Sequence, residues 1–189
     1  MLDVARHRPR AHSDEAELKF RLGQAEHARL RNRLRELGAA PVGTYDEENI
    51  RYRPVRRQPV TLRLRILDGG PGGGLTAKGR ARFERRIKIR EETEVAVADG
   101  PTTRELLGML GHKVAVTYHK HRETWRLNKV DVTLDTLDFG AFCEVEGPAQ
   151  EIEGVARALG LEPKRALKSS YSDLARDHAR TRPRRKTAP

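Results

Sequence analysis

Nearly every strand-like segment of this 189-residue chain carries charge on one face only, and the charge is of both signs. Residues 14–22 place Glu15, Glu17, Lys19 and Arg21 at alternate positions, with Leu18, Phe20 and Leu22 between them. Successive side chains of a strand point to opposite sides, so this spacing reads as a strand with one charged and one apolar face. Period two recurs at 61–67, 75–78, 86–97, 114–127, 129–134 and 141–146. The charged faces of these segments hold Arg63 and Arg65, then Lys78, then Arg86, Lys88, Arg90, Glu92 and Glu94. After them come Lys120 and Arg122, Asp131 and Asp135, and Glu144 and Glu146.

A solvated sheet face is ordinarily a scatter of Ser, Thr, Gln and Lys, and an open antiparallel sheet with one wet face is the plain alternative for any one strand. Arg and Glu at almost every such position favour closure, with the charges lining a tunnel and the apolar faces turned outward beneath helices. Helical spacing places those helices at 24–37, 101–110, 148–159 and 170–180, with Gly38 and Gly111 at capping positions and Pro101 in a first turn. The fold class is α+β and strand-dominated. The Gly-rich run 69–74 lies between two strands and reads as a hairpin loop; no Gly-Lys-Ser/Thr closes it into a phosphate loop.

An empty tunnel of this kind is costly, because charges taken from water need partners. Converging carboxylates suit Mg²⁺ or Mn²⁺, hard ions that take oxygen ligands. Arg and Lys opposite them suit the oxygens of a polyphosphate. Together they would stabilise the charge that moves in phosphoryl or nucleotidyl transfer.

Composition narrows the rest. The formal charge is +11, but Arg6, Arg8 and Arg10 against Asp3, and Arg180, Arg182, Arg184, Arg185 and Lys186 unopposed, leave only +4 for the 169 residues between. The expected organisation is a basic, disordered tail at 1–12, one domain at 13–178, and a second basic, disordered tail at 179–189. The tails suit weak, non-specific contact with nucleic acid. Few aromatic residues interleave with the basic ones, unlike a platform for single strands. One cysteine, Cys143, allows no internal disulfide, and no apolar run is long enough for a signal or a membrane span, so a cytoplasmic protein that makes no membrane contact is expected. Cys143 falls on the apolar face, where cysteine acts as a small hydrophobe. His119 and His121 alternate out of phase with Lys120 and Arg122 and lack an evident third ligand, which argues against zinc. Tyr171 reads as a packing residue of the last helix.

Glu15-Ala-Glu17-Leu-Lys19 resembles the Glu-x-Glu-x-Lys signature of the CYTH superfamily, which includes class IV adenylyl cyclases, thiamine triphosphatases and inorganic triphosphatases. The resemblance continues in order through Leu62-Arg63-Leu64-Arg65, Leu75-Thr76-Ala77-Lys78-Gly79, Arg90-Glu91-Glu92-Thr93-Glu94, Lys120-His121-Arg122, Leu134-Asp135, Glu144-Val145-Glu146 and the closing Ser170-Tyr171-Ser172-Asp173-Leu174. It implies a closed eight-stranded antiparallel triphosphate tunnel with helices outside. By the same resemblance Glu15, Glu17, Asp135, Glu144 and Glu146 would hold one or two metal ions. Lys19, Arg63, Arg65, Lys78, Arg90, Lys120 and Arg122 would hold phosphates, and Lys19, Glu92 and Glu94 would take part in catalysis. The stretch 45–52 only partly matches the family's aromatic pair and Asp, which leaves the tunnel mouth and substrate choice open.

Three functions follow. The first is cyclisation of ATP to cyclic AMP and pyrophosphate, since motifs and length look most like the class IV adenylyl cyclase branch. The second is hydrolysis of tripolyphosphate, thiamine triphosphate or a nucleoside triphosphate. The third is a non-catalytic grip on polyphosphate or RNA, which the paired carboxylates disfavour because they repel a polyanion. The sequence leaves monomer and homodimer both open.

Overall fold

The computed structural model describes residues 13–54, 60–68 and 70–181. In chain order the elements are β1 (Ser13–Leu22), α1 (Gln24–Glu36), β2 (Ala40–Tyr52), β3 (Thr61–Leu67), β4 (Gly73–Lys78), β5 (Arg82–Glu84), β6 (Ile87–Val97), α2 (Gly100–Met109), β7 (Val114–Leu127), β8 (Val130–Leu137), β9 (Gly140–Gly147), α3 (Ala149–Ala158) and α4 (Tyr171–Thr181). All the pairings are antiparallel, and the order β1-β9-β8-β7-β2-β3-β4-β6 returns to β1 through the β1–β6 ladder. Eight strands therefore close into a barrel, and β5 is a ninth strand hung on β6.

The hydrophobic core lies outside the barrel wall. Leu18, Phe20 and Leu22 of β1, Val132 and Leu134 of β8, and Cys143 and Val145 of β9 pack with Leu30 and Leu34 of α1 and Ile152 and Ala156 of α3. The apolar half of the pattern on β1, β8 and β9 is thus buried under helices, and the charged half faces the lumen. α1 begins at Gly23, whose N–H donates to Glu26 Oε2 at 2.6 Å, and ends at Gly38, whose φ of 75° suits a residue without Cβ. A second cluster joins Ile50 and Tyr52 of β2 and Leu64 of β3 to Leu107 of α2. α2 lies so close there that a Cβ on Gly100 would stand 2.6 Å from Ile66 Cγ1. Asp99 caps it, with Oδ1 accepting from the Thr102 N–H at 2.8 Å.

Several expected boundaries shift. β2 and β5 were not anticipated as strands. β6 begins at Ile87, so Arg86 sits exposed in the turn after β5, whose Arg85 has a φ of 56°. β8 begins at Val130 and runs on to Leu137. β4 starts inside the glycine run, where a Cβ on Gly73 would lie 1.9 Å from the Arg65 carbonyl oxygen, so close approach of β3 and β4 demands glycine. α4 continues through 179–181, which the expected tail boundary had left outside the domain. The tails at 1–12 and 182–189 and the loop residue Gly69 lie outside the described residues. Among the described residues no helix is long and apolar enough to cross a membrane.

Candidate functional site: a charged tunnel

Closure brings the charged faces of all eight strands together. On β1 and β9 the register sets Glu17 opposite Glu146 and Lys19 opposite Glu144; on β1 and β6 it sets Glu15 opposite Arg90 and Glu17 opposite Lys88. β7 and β8 place Arg122 opposite Asp135, and β4 and β6 place Lys78 opposite Glu92. Every residue proposed from sequence for the site, from Glu15 to Glu146, faces this one lumen.

Within it, the charges pair almost completely. Lys19 Nζ lies 2.9 Å from Glu144 Oε1 and 3.6 Å from Glu17 Oε1. Lys88 Nζ donates to the same Glu17 oxygen at 2.6 Å. Arg122 grips Asp135 with both prongs, Nε to Oδ1 at 2.7 Å and Nη2 to Oδ2 at 2.6 Å, and also reaches Glu144. Arg65 donates to Glu94 Oε1 at 2.8 Å, and Lys78 to Glu92. Arg63 donates to Thr76 Oγ1 at 3.2 Å and lies 3.5 Å from Glu94 Oε2. Arg90 Nε stands 4.0 Å from Glu92 Oε1.

These neighbours set the protonation of the lumen. Burial would raise the carboxyl of Glu17, but Lys19 and Lys88 hold it at about 2. Against the same burial, Lys19, Arg122 and Lys120 keep Glu144 well below the usual carboxylate range, and Glu144 with Glu17 keeps Lys19 above the usual ammonium range. Burial, then Arg63, pulls Lys78 down; burial, then Arg122, does the same to Lys120. Glu15 moves the other way from Glu17 and Glu144. Burial first, then the charge of Glu146, pushes it up to about 8.

Among the lumen residues that escaped the sequence reading are Glu47, Asn49 and Arg51 of β2, Thr76 of β4, Tyr118 of β7 and Thr133 of β8. Glu47 lies between cations, 3.2 Å from Lys120 Nζ and 3.7 Å from Arg65 Nη1, and Asn49 Nδ2 donates to it at 3.1 Å. The signal was the alternation Glu47-x-Asn49-x-Arg51, hidden by charges at 46 and 48 on the other face. Tyr171 does pack, against Phe142 and Tyr118, but its hydroxyl also donates to Asp135 Oδ2 at 2.8 Å, and Lys19 Nζ lies 4.2 Å from its ring centre. The start of α4 thereby covers one end of the lumen, tied to β2 by Arg51, which donates to Ser172 Oγ at 2.7 Å. Near Glu15 and Glu146 is a groove of about 490 Å³, also lined by Arg82, Glu84 and Lys129. His121 lies outside the barrel, its Nδ1 2.7 Å from Asp46 Oδ1, and Cys143 is buried in the outer core, where burial raises its thiol.

Among the described residues no three His, Cys, Asp or Glu side chains already stand at metal-ligating spacing. The fit to a divalent ion rests on charge. Burial, then the charge of Glu146 and with it Glu92, keeps a proton on Glu15 near neutrality, and a cation there would offset the carboxylate charge as the proton now does. Asp135 differs, because Arg122, Tyr171 and, at 3.5 Å, Thr133 already occupy its oxygens.

Known proteins share this architecture and sequence. A Methanocaldococcus jannaschii protein named "Putative adenylate cyclase MJ0240" is 25% identical over 175 residues, covering 85% of this chain and 97% of its own. The solved structure of PH1012 from Pyrococcus horikoshii is 27% identical with a TM-score of 0.73, covering 85% of this chain and 98% of that one. A Hippeastrum structure named "Putative adenylyl cyclase HpAC1" and said to reveal a dominant triphosphatase activity has a TM-score of 0.65 over 87% of this chain and 96% of its own; at 17% identity it shows the fold alone. The family model described as the CYTH domain matches residues 13–176, so the chain belongs to the CYTH family.

Proposed function

We propose that the lumen binds a triphosphate chain and, with a divalent cation, cleaves it. The observation that carries this reading is the pair of guanidinium nitrogens, Arg63 Nε and Arg90 Nε, that are buried in the lumen without a hydrogen-bond partner. A buried N–H left unmade costs about 1–3 kcal/mol, and phosphate oxygens are acceptors of the right charge. Lys19, Arg65, Lys78, Lys120 and Arg122 would complete the cradle, each shedding part of its hold on a carboxylate as phosphate arrives. Glu15 and Glu146, with Glu17 and Glu144 next along their strands, would hold the cation; Mg²⁺ or Mn²⁺ suits an all-oxygen set. Bound there, the ion would neutralise phosphate charge and favour departure of the leaving oxygen. Asp135 would act by fixing the Arg122 fork, and Glu92 and Glu94 by aiming Lys78, Arg63 and Arg65.

Two reactions use the same cradle. Attack of the ATP 3′-hydroxyl on the α-phosphorus gives cyclic AMP and pyrophosphate, and the name of the M. jannaschii relative supports it first. Attack of water on the terminal phosphorus gives orthophosphate, and the activity credited to the Hippeastrum protein of the same fold makes it the second reading. Incubation with ATP, tripolyphosphate and thiamine triphosphate, with Mg²⁺ and then Mn²⁺, and chromatography of the products is the test. Cyclic AMP with pyrophosphate, or orthophosphate, is expected; no cleavage of any of the three refutes the proposal.

A further inference from the structure

The lumen is built to receive acceptors, yet one of its own buried atoms is an acceptor with nothing to accept. Among the described residues, three lumen atoms are buried without a partner: Arg63 Nε, Arg90 Nε and Asn49 Oδ1. The first two are donors and suit phosphate. Asn49 is fully buried on β2, between Arg65 of β3 and Tyr118 of β7 in the strand register. Its amide cannot turn to hide the oxygen. Nδ2 donates to Glu47 Oε2 at 3.1 Å, and reversal would set Oδ1 against that carboxylate. Glu47 is itself held by Lys120 and Arg65. The orientation is therefore imposed, and a phosphate oxygen at Oδ1 would meet lone pairs with lone pairs.

Such an atom accepts an N–H or O–H hydrogen, and of these tripolyphosphate hydrolysis supplies O–H. We propose that Asn49 Oδ1 accepts the hydrogen of the attacking nucleophile and aims its oxygen at phosphorus, which makes Asn49 a catalytic residue of the triphosphate cleavage proposed above, on which this assignment rests. The O–H belongs either to water or to a hydroxyl of the substrate. With tripolyphosphate only water can serve: its oxygen bonds to the terminal phosphorus, the bridging P–O bond breaks, and its electron pair leaves on diphosphate. One hydrogen of the water stays on orthophosphate and the other ends on diphosphate. Asn49 takes no proton; it orients the oxygen. With ATP the 3′-hydroxyl would occupy the same acceptor, and its hydrogen would end on the departing pyrophosphate.

The test is steady-state kinetics of Asn49→Ala and Asn49→Ser on both substrates. Orienting losses of this kind run to roughly tenfold to a hundredfold. A fall of that size in kcat on tripolyphosphate for Asn49→Ala, with KM within about twofold and partial recovery in Asn49→Ser, supports the assignment with water as donor. The same pattern confined to cyclic AMP formation supports it with the substrate hydroxyl as donor. Unchanged kcat on both, or a rise in KM alone, overturns it and leaves the tunnel enzyme standing. Should wild type cleave neither substrate, the proposed function and the catalytic assignment fail together; where it cleaves, a crystal structure of the wild type with tripolyphosphate reads the Asn49 contact directly. A water oxygen within hydrogen-bond distance of Oδ1 is expected there; a protein donor on that atom, or a reversed amide, overturns the assignment.

Discussion

Replacing Glu47 by Gln should destabilise the empty protein and tighten its hold on a triphosphate. Gln keeps the shape and an acceptor for Asn49, so the change removes one charge. The side chains of Glu47 and Lys120 are each only 2% exposed and lie 3.2 Å apart. Removing one member of such a pair costs about 3–5 kcal/mol, because the other, with only Asp135 left at 3.8 Å, is poorly compensated. The pair is lopsided. Against burial, Lys120, Arg65 and Arg122 hold the Glu47 carboxyl well below its usual range, whereas burial and Arg122 already pull the Lys120 ammonium down. Lys120 would therefore escape by losing its proton, which from an ordinary value near 10.4 costs about 4.6 kcal/mol at pH 7 and caps the penalty. Arg65 retains Glu94 at 2.8 Å and adds little. A loss of about 3–4.6 kcal/mol should lower Tm by roughly 6–18 °C for a chain of this length. Because the folded carboxyl is depressed, its contribution is present above the unfolded value and lost as pH falls through the folded one, so the gap between variant and wild type is present at pH 7 and closes in acid; it also narrows as pH rises toward the ordinary lysine value, where Lys120 loses its proton at lower cost. Calorimetry with and without tripolyphosphate and Mg²⁺ is the assay, and the ligand should raise Tm more in the variant, where its charge replaces the missing carboxylate. A Tm within about 2 °C of wild type, or a smaller ligand shift in the variant, refutes the pairing.

Arg65→Ala should weaken triphosphate binding, seen as a smaller ligand-induced rise in Tm than wild type shows; an equal rise removes Arg65 from the cradle. Glu15→Gln and Glu146→Gln should each lose cation-dependent turnover at least about tenfold while keeping the circular dichroism of wild type, since a hard-cation site is weakened by each ligand charge removed; turnover retained in both sinks the metal assignment. Tyr171→Phe should cost about 1–3 kcal/mol of stability, because it strips a donor from the fully buried Asp135; chemical denaturation with an unchanged midpoint would show that the hydroxyl is idle. Deleting 1–12 and 182–189 removes Arg6, Arg8, Arg10, Arg182, Arg184, Arg185 and Lys186 and should weaken non-specific nucleic-acid binding in a filter or gel assay while turnover stays within about twofold; a tenfold fall in turnover would make the tails part of the site.

What sequence could reveal here depended on where a helix covers a strand. β1, β8 and β9 lie under α1 and α3, so their outer faces are apolar and the alternation with charge is plain in Leu18, Phe20, Leu22 or in Cys143, Val145. β2 has the same inner chemistry, Glu47, Asn49 and Arg51, but only Ile50 and Tyr52 meet α2, while Asp46 bonds to His121 outside and Glu48 lies 3.6 Å from Arg104. Polar side chains on both faces erase the period of two, and with it went the strand that holds the only neutral lumen acceptor left without a partner among the described residues.

Partner choice was hidden for a different reason. Parity tells which residues enter the lumen, but the register and the closing ladder decide which charge meets which. Asp135 shows the consequence. As a motif residue it reads like Glu144 and Glu146, a carboxylate available to a cation. In the fold it is opposite Arg122 on β7 and beneath Tyr171 from a helix 36 residues further along, so both oxygens are spent on orienting a fork and seating α4. A carboxylate so engaged gains less from a metal than one that, like Glu15, burial and then the charge of Glu146 push toward keeping a proton. We therefore place the proposed cation toward Glu15 and Glu146, with Glu17 and Glu144 beside them, and the phosphates against the guanidinium and ammonium groups, which would loosen their hold on carboxylates as phosphate arrives.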